Sequence, residues 1–254
     1  MTLLLHTDIG HDPDDIIALS YLIGRGDYVP SIVSINPGFR EQALIVDSIY
    51  REFGLNRPTI YASSHPTKTY QRSSKLEQIL AYGEDDSFEL SPSDPIECST
   101  ALVIGPPKGL KVKCHRMIFQ GGYSPNSTSP LEKFKGKSSV QSFNPSGAKA
   151  DFIHLRDSDL IKRRYYVGKN VCHGFKKKNV QEKLHNFFPK RIAAYFDQLS
   201  EDKAMHDLLA AMMMIYPDRG IWEQALPVFD GLLMSTTPTD KQIYSLVGIQ
   251  NDEV

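Results

Sequence analysis

The 254-residue sequence is short of net charge, of cysteine and of long apolar runs, and each shortage excludes something. Lysine and arginine total 29 against 30 aspartates and glutamates, a formal net charge of −1. There is thus no global basic field to gather nucleic acid, and no acidic bias either. Three cysteines, Cys98, Cys114 and Cys172, are an odd number at wide, unrelated spacings. That pattern fits neither a disulfide framework nor a zinc site and implies a reducing compartment. No segment is apolar for long enough to span a bilayer, and the N-terminus lacks the basic start and apolar run of a secretory signal. Internal repeats and low-complexity tracts are missing too. The expectation is a soluble, cytoplasmic protein with neither nucleic acid nor membrane as its partner.

What is there alternates. Thr2 to His6 is a compact, mostly apolar run. From Asp14 to Ile23 the residues Ile16, Ile17, Leu19, Leu22 and Ile23 fall at helical spacing. Val29 to Ile35 reads as a second strand. Arg40 to Phe53 reads as a helix with Leu44, Ile45, Ile49 and Phe53 on one face, and Thr59 to Ala62 as a third strand. Further strands are expected at Ala101 to Ile104, at Arg116 to Gln120 and near Arg164 to Val167. Alternation of this kind implies βαβ units, hence an α/β fold with a mostly parallel central sheet and flanking helices. Ser63 to Ser99 and Tyr123 to Ser142 read as long loops, Asn186 to Tyr216 as helical, and the tail from Ala225 as short extended segments. The run Lys176-Lys177-Lys178 reads as a solvated surface. No domain boundary is apparent, so residues 1–254 are expected to form one domain.

Parallel sheets bind ligands at the carboxyl ends of their strands, which directs attention to Asp8, Asn36, Ile104-Gly105 and Gln120-Gly121-Gly122. The first of these opens the most informative segment, Asp8-Ile9-Gly10-His11-Asp12-Pro13-Asp14-Asp15. Part of it suits an ordinary helix start: Asp12 as N-cap, Pro13 in the first turn, and Asp14 and Asp15 complementing the helix dipole. Asp8, at the end of a buried strand, is not explained that way. Two carboxylates about 4 Å apart repel by roughly 4 kcal/mol at an effective dielectric near 20. A hard divalent cation, Ca²⁺ or Mg²⁺, relieves such crowding with oxygen ligands, and Gly10 lets the backbone approach it. Far along the chain, Met205-His206-Asp207 opens a second apolar helical run, where Asp207 also suits a helix start. The turn Gly168-Lys169-Asn170-Val171-Cys172-His173 follows a strand as well, and Asn170 or His173 can face a pocket there.

These pieces, in this order, resemble the nucleoside hydrolases of the inosine-uridine-preferring type. The family's Asp-x-Asp-Pro-Gly-x-Asp-Asp turn looks like His6-Thr7-Asp8-Ile9-Gly10-His11-Asp12-Pro13-Asp14-Asp15. Its Thr-Gly-Gly-Leu-Thr-Asn turn looks like Ile104 to Gly109, and its Met-Gly-Gly strand end like Gln120-Gly121-Gly122. Its Glu-Phe-Asn motif is similar to Ser142-Phe143-Asn144, and its His-Asp-Pro-x-Ala segment to His206-Asp207-Leu208-Leu209-Ala210. The resemblance implies a small-molecule ribosyl substrate and a Ca²⁺ cofactor held by Asp8, Asp15, Asp207 and the backbone carbonyl of Ile104. It implies Asp8 as general base toward water, Asp14, Asn36 and Asn144 toward the ribose, and His206 beside the leaving base. It also implies a homo-oligomer, a dimer or tetramer.

Three departures bear on this. His6 replaces the first Asp of the hallmark and Ser142 replaces the Glu of Glu-Phe-Asn. The acidic turn is two residues longer, so Asp12 and Asp14 remain rivals to Asp8 as base. A ribosyl-binding protein that keeps the Ca²⁺ site without turnover is therefore the competing expectation. A phosphatase of the haloacid-dehalogenase type is not. It needs a second Asp two residues after a nucleophilic Asp at the strand end. The residue two before Asp8 is His6, and Asp12-Pro13-Asp14 lies too far past the strand.

Overall fold

The computed structural model describes residues 2–63, 83–123, 131–135, 137, 140–224 and 242–250. The first half runs β1 (Leu3–Thr7), α1 (Pro13–Gly24), β2 (Ile32–Ile35), α2 (Arg40–Glu52), β3 (Thr59–Ala62), β4 (Glu89–Leu90), β5 (Ile96–Val103) and β6 (Val112–Gln120). The second half runs α3 (Phe143–Gly147), α4 (Lys149–Asp157), β7 (Ile161–Val167), α5 (Lys169–Cys172), α6 (Gln181–Leu184), α7 (Lys190–Asp197), α8 (His206–Ile215), β8 (Gly220–Glu223) and β9 (Gln242–Ile249).

The strands form one sheet in the order β4-β3-β2-β1-β5-β6-β7-β9-β8. All neighbours are parallel except β8 and β9. The chain builds outward from β1 in one direction, then returns to place β5 on its other side and builds the opposite way. The reversal falls between β1 and β5, which is where open α/β sheets leave a crevice at their carboxyl edge.

Burial explains why these elements form. β1 is buried along its whole length and reads as a continuous apolar run, as a strand covered on both faces must. One face of the sheet carries the larger core, with Ile16, Ile17, Leu19, Ile49, Phe196, Leu208 and Met214 from the covering helices. The other carries a smaller core in which Phe152 and Leu155 of α4 meet Val103, Met117 and Tyr166. α1 is buried from Asp14 to Ile23 and α8 from Asp207 to Ile215. Both are apolar nearly all round, as central helices are.

The sheet is longer than the sequence pattern suggests. β5 begins at Ile96 and β6 at Val112, because their first halves are covered on one face only. Exposed Glu97, Lys113 and His115 alternate there with buried neighbours and interrupt the apolar run. The expected loop from Ser63 to Ser99 thus contains β4 and the start of β5, with residues 64–82 outside the described part. β2 starts only at Ile32, after Pro30, which has no N–H to give to a ladder. The stretch from Asn186 to Tyr216 is α7 and α8 separated by residues 198–205, and the tail contributes β9. Cys98 and Cys114, far apart in sequence, are register neighbours on β5 and β6, both free. Among the described residues no helix is long and apolar enough to cross a membrane.

The lysine run is not uniformly solvated. Lys176 and Lys178 pair with Asp202 at the surface, but Lys177 is 1% exposed. Its Nζ donates to the carbonyls of Asp197 (3.0 Å) and Leu199 (2.8 Å) and lies 5.1 Å from the centre of the Phe196 ring. The ammonium thereby closes the carboxyl end of α7, where helix carbonyls lack partners and cations are favoured. Its backbone N–H bonds Lys203 O, and Met205 N–H bonds Phe175 O, which fixes the approach to α8. Lys177→Ala removes two charge-assisted hydrogen bonds, so a loss of about 2–4 kcal/mol is expected in urea unfolding. Lys178→Ala is expected to stay within about 0.5 kcal/mol. Equal small effects would restore the solvated reading.

Candidate functional site

The N-termini of α1 and α8 meet at the carboxyl edge of the sheet, beside the β1–β5 reversal. Asp14 and Asp15 stand in the first turn of α1 and Asp207 in that of α8. One carboxylate oxygen from each lies within 4.8 Å of the others, and all three residues are buried. Asp14 Oδ2 accepts hydrogen bonds from the backbone N–H groups of His206 (3.0 Å) and Asp207 (3.4 Å), so a side chain of one helix caps the other. Asp15 Oδ1 accepts the Thr7 hydroxyl, and Thr7 Oγ1 in turn accepts the Ile9 N–H at 3.0 Å.

Asp8 is half-buried at the end of β1. Its placement depends on Gly105, where a Cβ would lie 2.5 Å from the Asp8 nitrogen and 2.8 Å from Oδ1. Gly10 follows with φ 95°, a conformation that suits glycine. Asp12 occupies the N-cap position of α1, yet its side chain makes no cap hydrogen bond. It pairs instead with Lys203, whose Nζ also lies 3.7 Å from Asp14.

Gathering these acids away from water disfavours their charged forms. Burial first, then the charges of Asp8 and Asp14, push Asp15 well above the usual carboxylate range. Burial and the charges of Asp14 and Asp15 do the same to Asp207. Burial, with Asp12 adding repulsion, raises Asp8 to about 7 and Asp14 to about 7. For Asp12, burial is outweighed by hydrogen bonding to Asp14 and by the Lys203 ammonium, which hold it below the ordinary range. The donors are all oxygen, they converge, and they are under-neutralised. Such a set fits a hard divalent cation rather than a soft one.

The other residues singled out in the sequence surround this group with different commitments. Asn144 Nδ2 donates to the carbonyl of Ile104 (2.8 Å), to Gln120 O (3.1 Å) and to Gln120 Oε1 (2.7 Å), tying the ends of β5 and β6 together. Asn36 donates to Pro106 O (3.0 Å) and accepts from the Ser63 hydroxyl (2.9 Å). Asn170 donates to Leu246 O (3.2 Å), linking the exit of β7 to β9. His6 is fully buried, and burial lowers it to about 4, so it is neutral. Its Nε2 donates to Pro106 O at 2.8 Å, which leaves Nδ1 to accept from Ser34 at 3.0 Å. Ser142 Oγ accepts the Gly122 N–H at 3.2 Å. Both replacements of hallmark acids are thus neutral structural ties.

The His206 ring packs against that of His173, centroids 4.3 Å apart and planes tilted by 47°, and its Nδ1 lies 3.9 Å from Asp14 Oδ2. Burial lowers His206 to about 4 and, with the charge of His206 and nearby lysines, His173 to about 3. Sequence reasoning did not find Lys203, Thr7 or Lys133. Lys203 had one weak signal, its position three residues before His206, while Thr7 and Lys133 carry no local pattern.

No family model and no curated protein matches the sequence. Solved structures do match. The inosine-uridine preferring nucleoside hydrolase from Bacillus anthracis is similar over 99% of this chain and 96% of its own, with a TM-score of 0.64 and 14% identity. This is the nucleoside-hydrolase fold. The purine-preferring ribonucleoside hydrolase from Gardnerella vaginalis shares it over 98% of this chain and 94% of its own, with TM-score 0.62 and 13% identity. So does the type III effector protein XopQ, solved complexed with adenosine diphosphate ribose, over 97% and 86%, with TM-score 0.57 and 12% identity. At such identities the likeness is one of fold, and within the nucleoside-hydrolase fold the site rests on its own geometry.

The raised carboxyls set a pH signature. Each is protonated in the folded chain where it would be ionised unfolded, so its contribution is complete below the unfolded value near 4 and is lost as pH rises through about 7 and above. The buried neutral histidines oppose this only below their unfolded value of 6.5. From about pH 6.5 to about pH 8, the melting temperature of chelator-treated protein is expected to fall. Added Ca²⁺, which requires ionised ligands, is expected to raise it by an increment that grows with pH. A Ca²⁺ increment that is absent, or that shrinks toward the alkaline end of a scanning-fluorimetry series, would contradict the cation site.

Proposed function

We propose that the protein hydrolyses the N-glycosidic bond of a ribonucleoside or related N-ribosyl compound. The observation that carries this is the convergence of Asp14, Asp15 and Asp207 at the meeting of two helix N-termini, on a nucleoside-hydrolase fold. Asp15 and Asp207 would hold Ca²⁺, with Asp8 and the Ile104 carbonyl completing the protein's share. Asp14 contributes an oxygen to the same group, but its Oδ2 is committed to capping α8. We therefore assign Asp14 Oδ1 to a ribose hydroxyl. Bound Ca²⁺ would supply charge neutralisation and a template for vicinal hydroxyls and water.

The chain's own residues do the rest. Asp8, ionised when the cation is bound, would accept a proton from the attacking water as general base. Carboxylates around the sugar favour the positive charge that develops as the glycosidic bond breaks. Asn144, its amide group fixed by Ile104 and Gln120, offers its carbonyl oxygen to the sugar, and Asn36 has one N–H beyond its bond to Pro106. Asn170, bonded to Leu246 O, would fix the exit of β7 beside the substrate. His206, kept neutral by burial, orients the departing base by hydrogen bonding rather than as a standing cation. A cytoplasmic location and a dimer or tetramer complete the proposal, the first resting on composition and the second on the family resemblance.

A second reading is a ribosyl-ligand-binding protein without turnover. The neutral His6 and Ser142 favour it, as does the complex of XopQ with adenosine diphosphate ribose on the same fold. Ribose release from a panel of purine and pyrimidine ribosyl compounds, with Ca²⁺ and with a chelator, separates the two. Chelator-sensitive release is expected, with Asp8→Asn lowering kcat by about 10²-fold or more. Ca²⁺-dependent ligand binding with no release would establish the second reading instead.

A further inference from the structure

Beside the carboxylates and next to His206 stand the His173 imidazole and the ammonium groups of Lys133 and Lys169, which hydrolysis of a neutral nucleoside does not use. Lys133 Nζ lies 3.1 Å from His173 Nδ1. An ammonium has no lone pair, so it donates, Nδ1 accepts, and the neutral ring carries its proton on Nε2. That Nε2 is buried without a hydrogen-bond partner, and so is Nε2 of the neighbouring His206. A buried polar group left this way costs about 1–3 kcal/mol and calls for an explanation. A ligand acceptor supplies one beside the carboxylate group.

The arrangement behind the two rings is built rather than incidental. Phe134 meets His173 edge-on at 5.5 Å and 85°, and carries Lys133 4.9 Å from its ring centre. Lys169, in the first turn of α5, and Lys203 lie within electrostatic reach of both imidazoles. Lys203 is shared with Asp12 and marks the border with the acidic group. Positive charge gathered around buried imidazole edges suits a multiply charged group with several acceptor oxygens.

Resting on the N-ribosyl reading above, we propose that His173, with Lys133 and Lys169 around it and His206 packed at its side, forms a subsite for a phosphate group. The ligand class is then a phosphorylated N-ribosyl compound rather than a neutral nucleoside. His173 is its specificity-determining residue and Lys133 fixes the tautomer that presents its Nε2–H.

Calorimetry on the Ca²⁺-loaded full chain tests this with ribose, ribose 5-phosphate and inorganic phosphate as probes. Ribose 5-phosphate is expected to bind about 10-fold or more tighter than ribose, the worth of a charge-assisted hydrogen bond. His173→Ala and the surface variant Lys133→Met should each remove most of that gain and leave ribose binding unchanged. Ribose bound as tightly as ribose 5-phosphate would overturn the subsite while leaving the N-ribosyl reading intact. Inorganic phosphate bound in a Lys133-dependent way, with no gain from either sugar, would keep the subsite and overturn the N-ribosyl reading. No binding of any phosphate probe overturns the subsite outright.

Discussion

The mutual repulsion of buried carboxylates is the constraint on which the carboxyl edge of this protein depends. Asp14, Asp15 and Asp207 are held close together where water cannot screen them, with Asp8 and Asp12 beside them. The fold offsets part of that cost with several separate devices. Two helix N-termini point at the group with their unpaired N–H donors, two of which Asp14 accepts. Thr7 gives its hydroxyl to Asp15. Lys203 neutralises Asp12 and approaches Asp14. What these leave unbalanced is what a divalent cation would balance, so structural cost and proposed chemistry are one feature seen twice.

That feature explains the scaffold around it. The acids come from two helices whose first turns are distant in sequence, and only a sheet that reverses its build direction beside β1 brings them together. α1 follows β1 directly, and α8 returns to pack against it, both apolar around nearly their whole circumference. Even Lys177, remote from the acids, contributes by fixing the segment that leads into Lys203 and His206. Identities of 12 to 14% with structures of the same fold are understandable on this view. The architecture needs apolar helices, glycines at two tight approaches and acids at two helix starts, and it tolerates wide variation elsewhere.

Much of this was legible in the sequence where local chemistry was decisive. Strands covered on both faces announce themselves as apolar runs, so β1 and the inner halves of β5 and β6 could be read directly. Their outer halves could not, because Glu97, Lys113 and His115 alternate with buried residues and imitate a loop. The short β3 alternates exposed Thr59 and half-buried Tyr61 with buried Ile60 and Ala62. The acidic turn was conspicuous because helix capping accounts for Asp12 to Asp15 but not for Asp8. Asp12 then proved to sit at the cap without capping. Residues whose role depends on a distant partner were invisible: Lys203 finds Asp12, Lys133 finds His173, and Lys177 finds the end of α7. Asn36 and Asn170 show the reverse case. Resemblance linked Asn36 to the sugar, and its turn after a strand placed Asn170 toward a pocket, while each carries a hydrogen bond to a distant backbone carbonyl, Pro106 and Leu246, that sequence alone does not disclose.

The most direct test of the central claim is the stoichiometry and affinity of Ca²⁺ measured by calorimetry on the intact chain and on single carboxylate variants. One ion per chain is expected. Asp15→Asn and Asp207→Asn should each weaken it by about 10²-fold or more, while Asp12→Asn, already neutralised by Lys203, should change it by less than about 10-fold. Ca²⁺ affinity indifferent to both Asp15→Asn and Asp207→Asn would show that the buried carboxylates are not gathered for a cation, and the account would fail there.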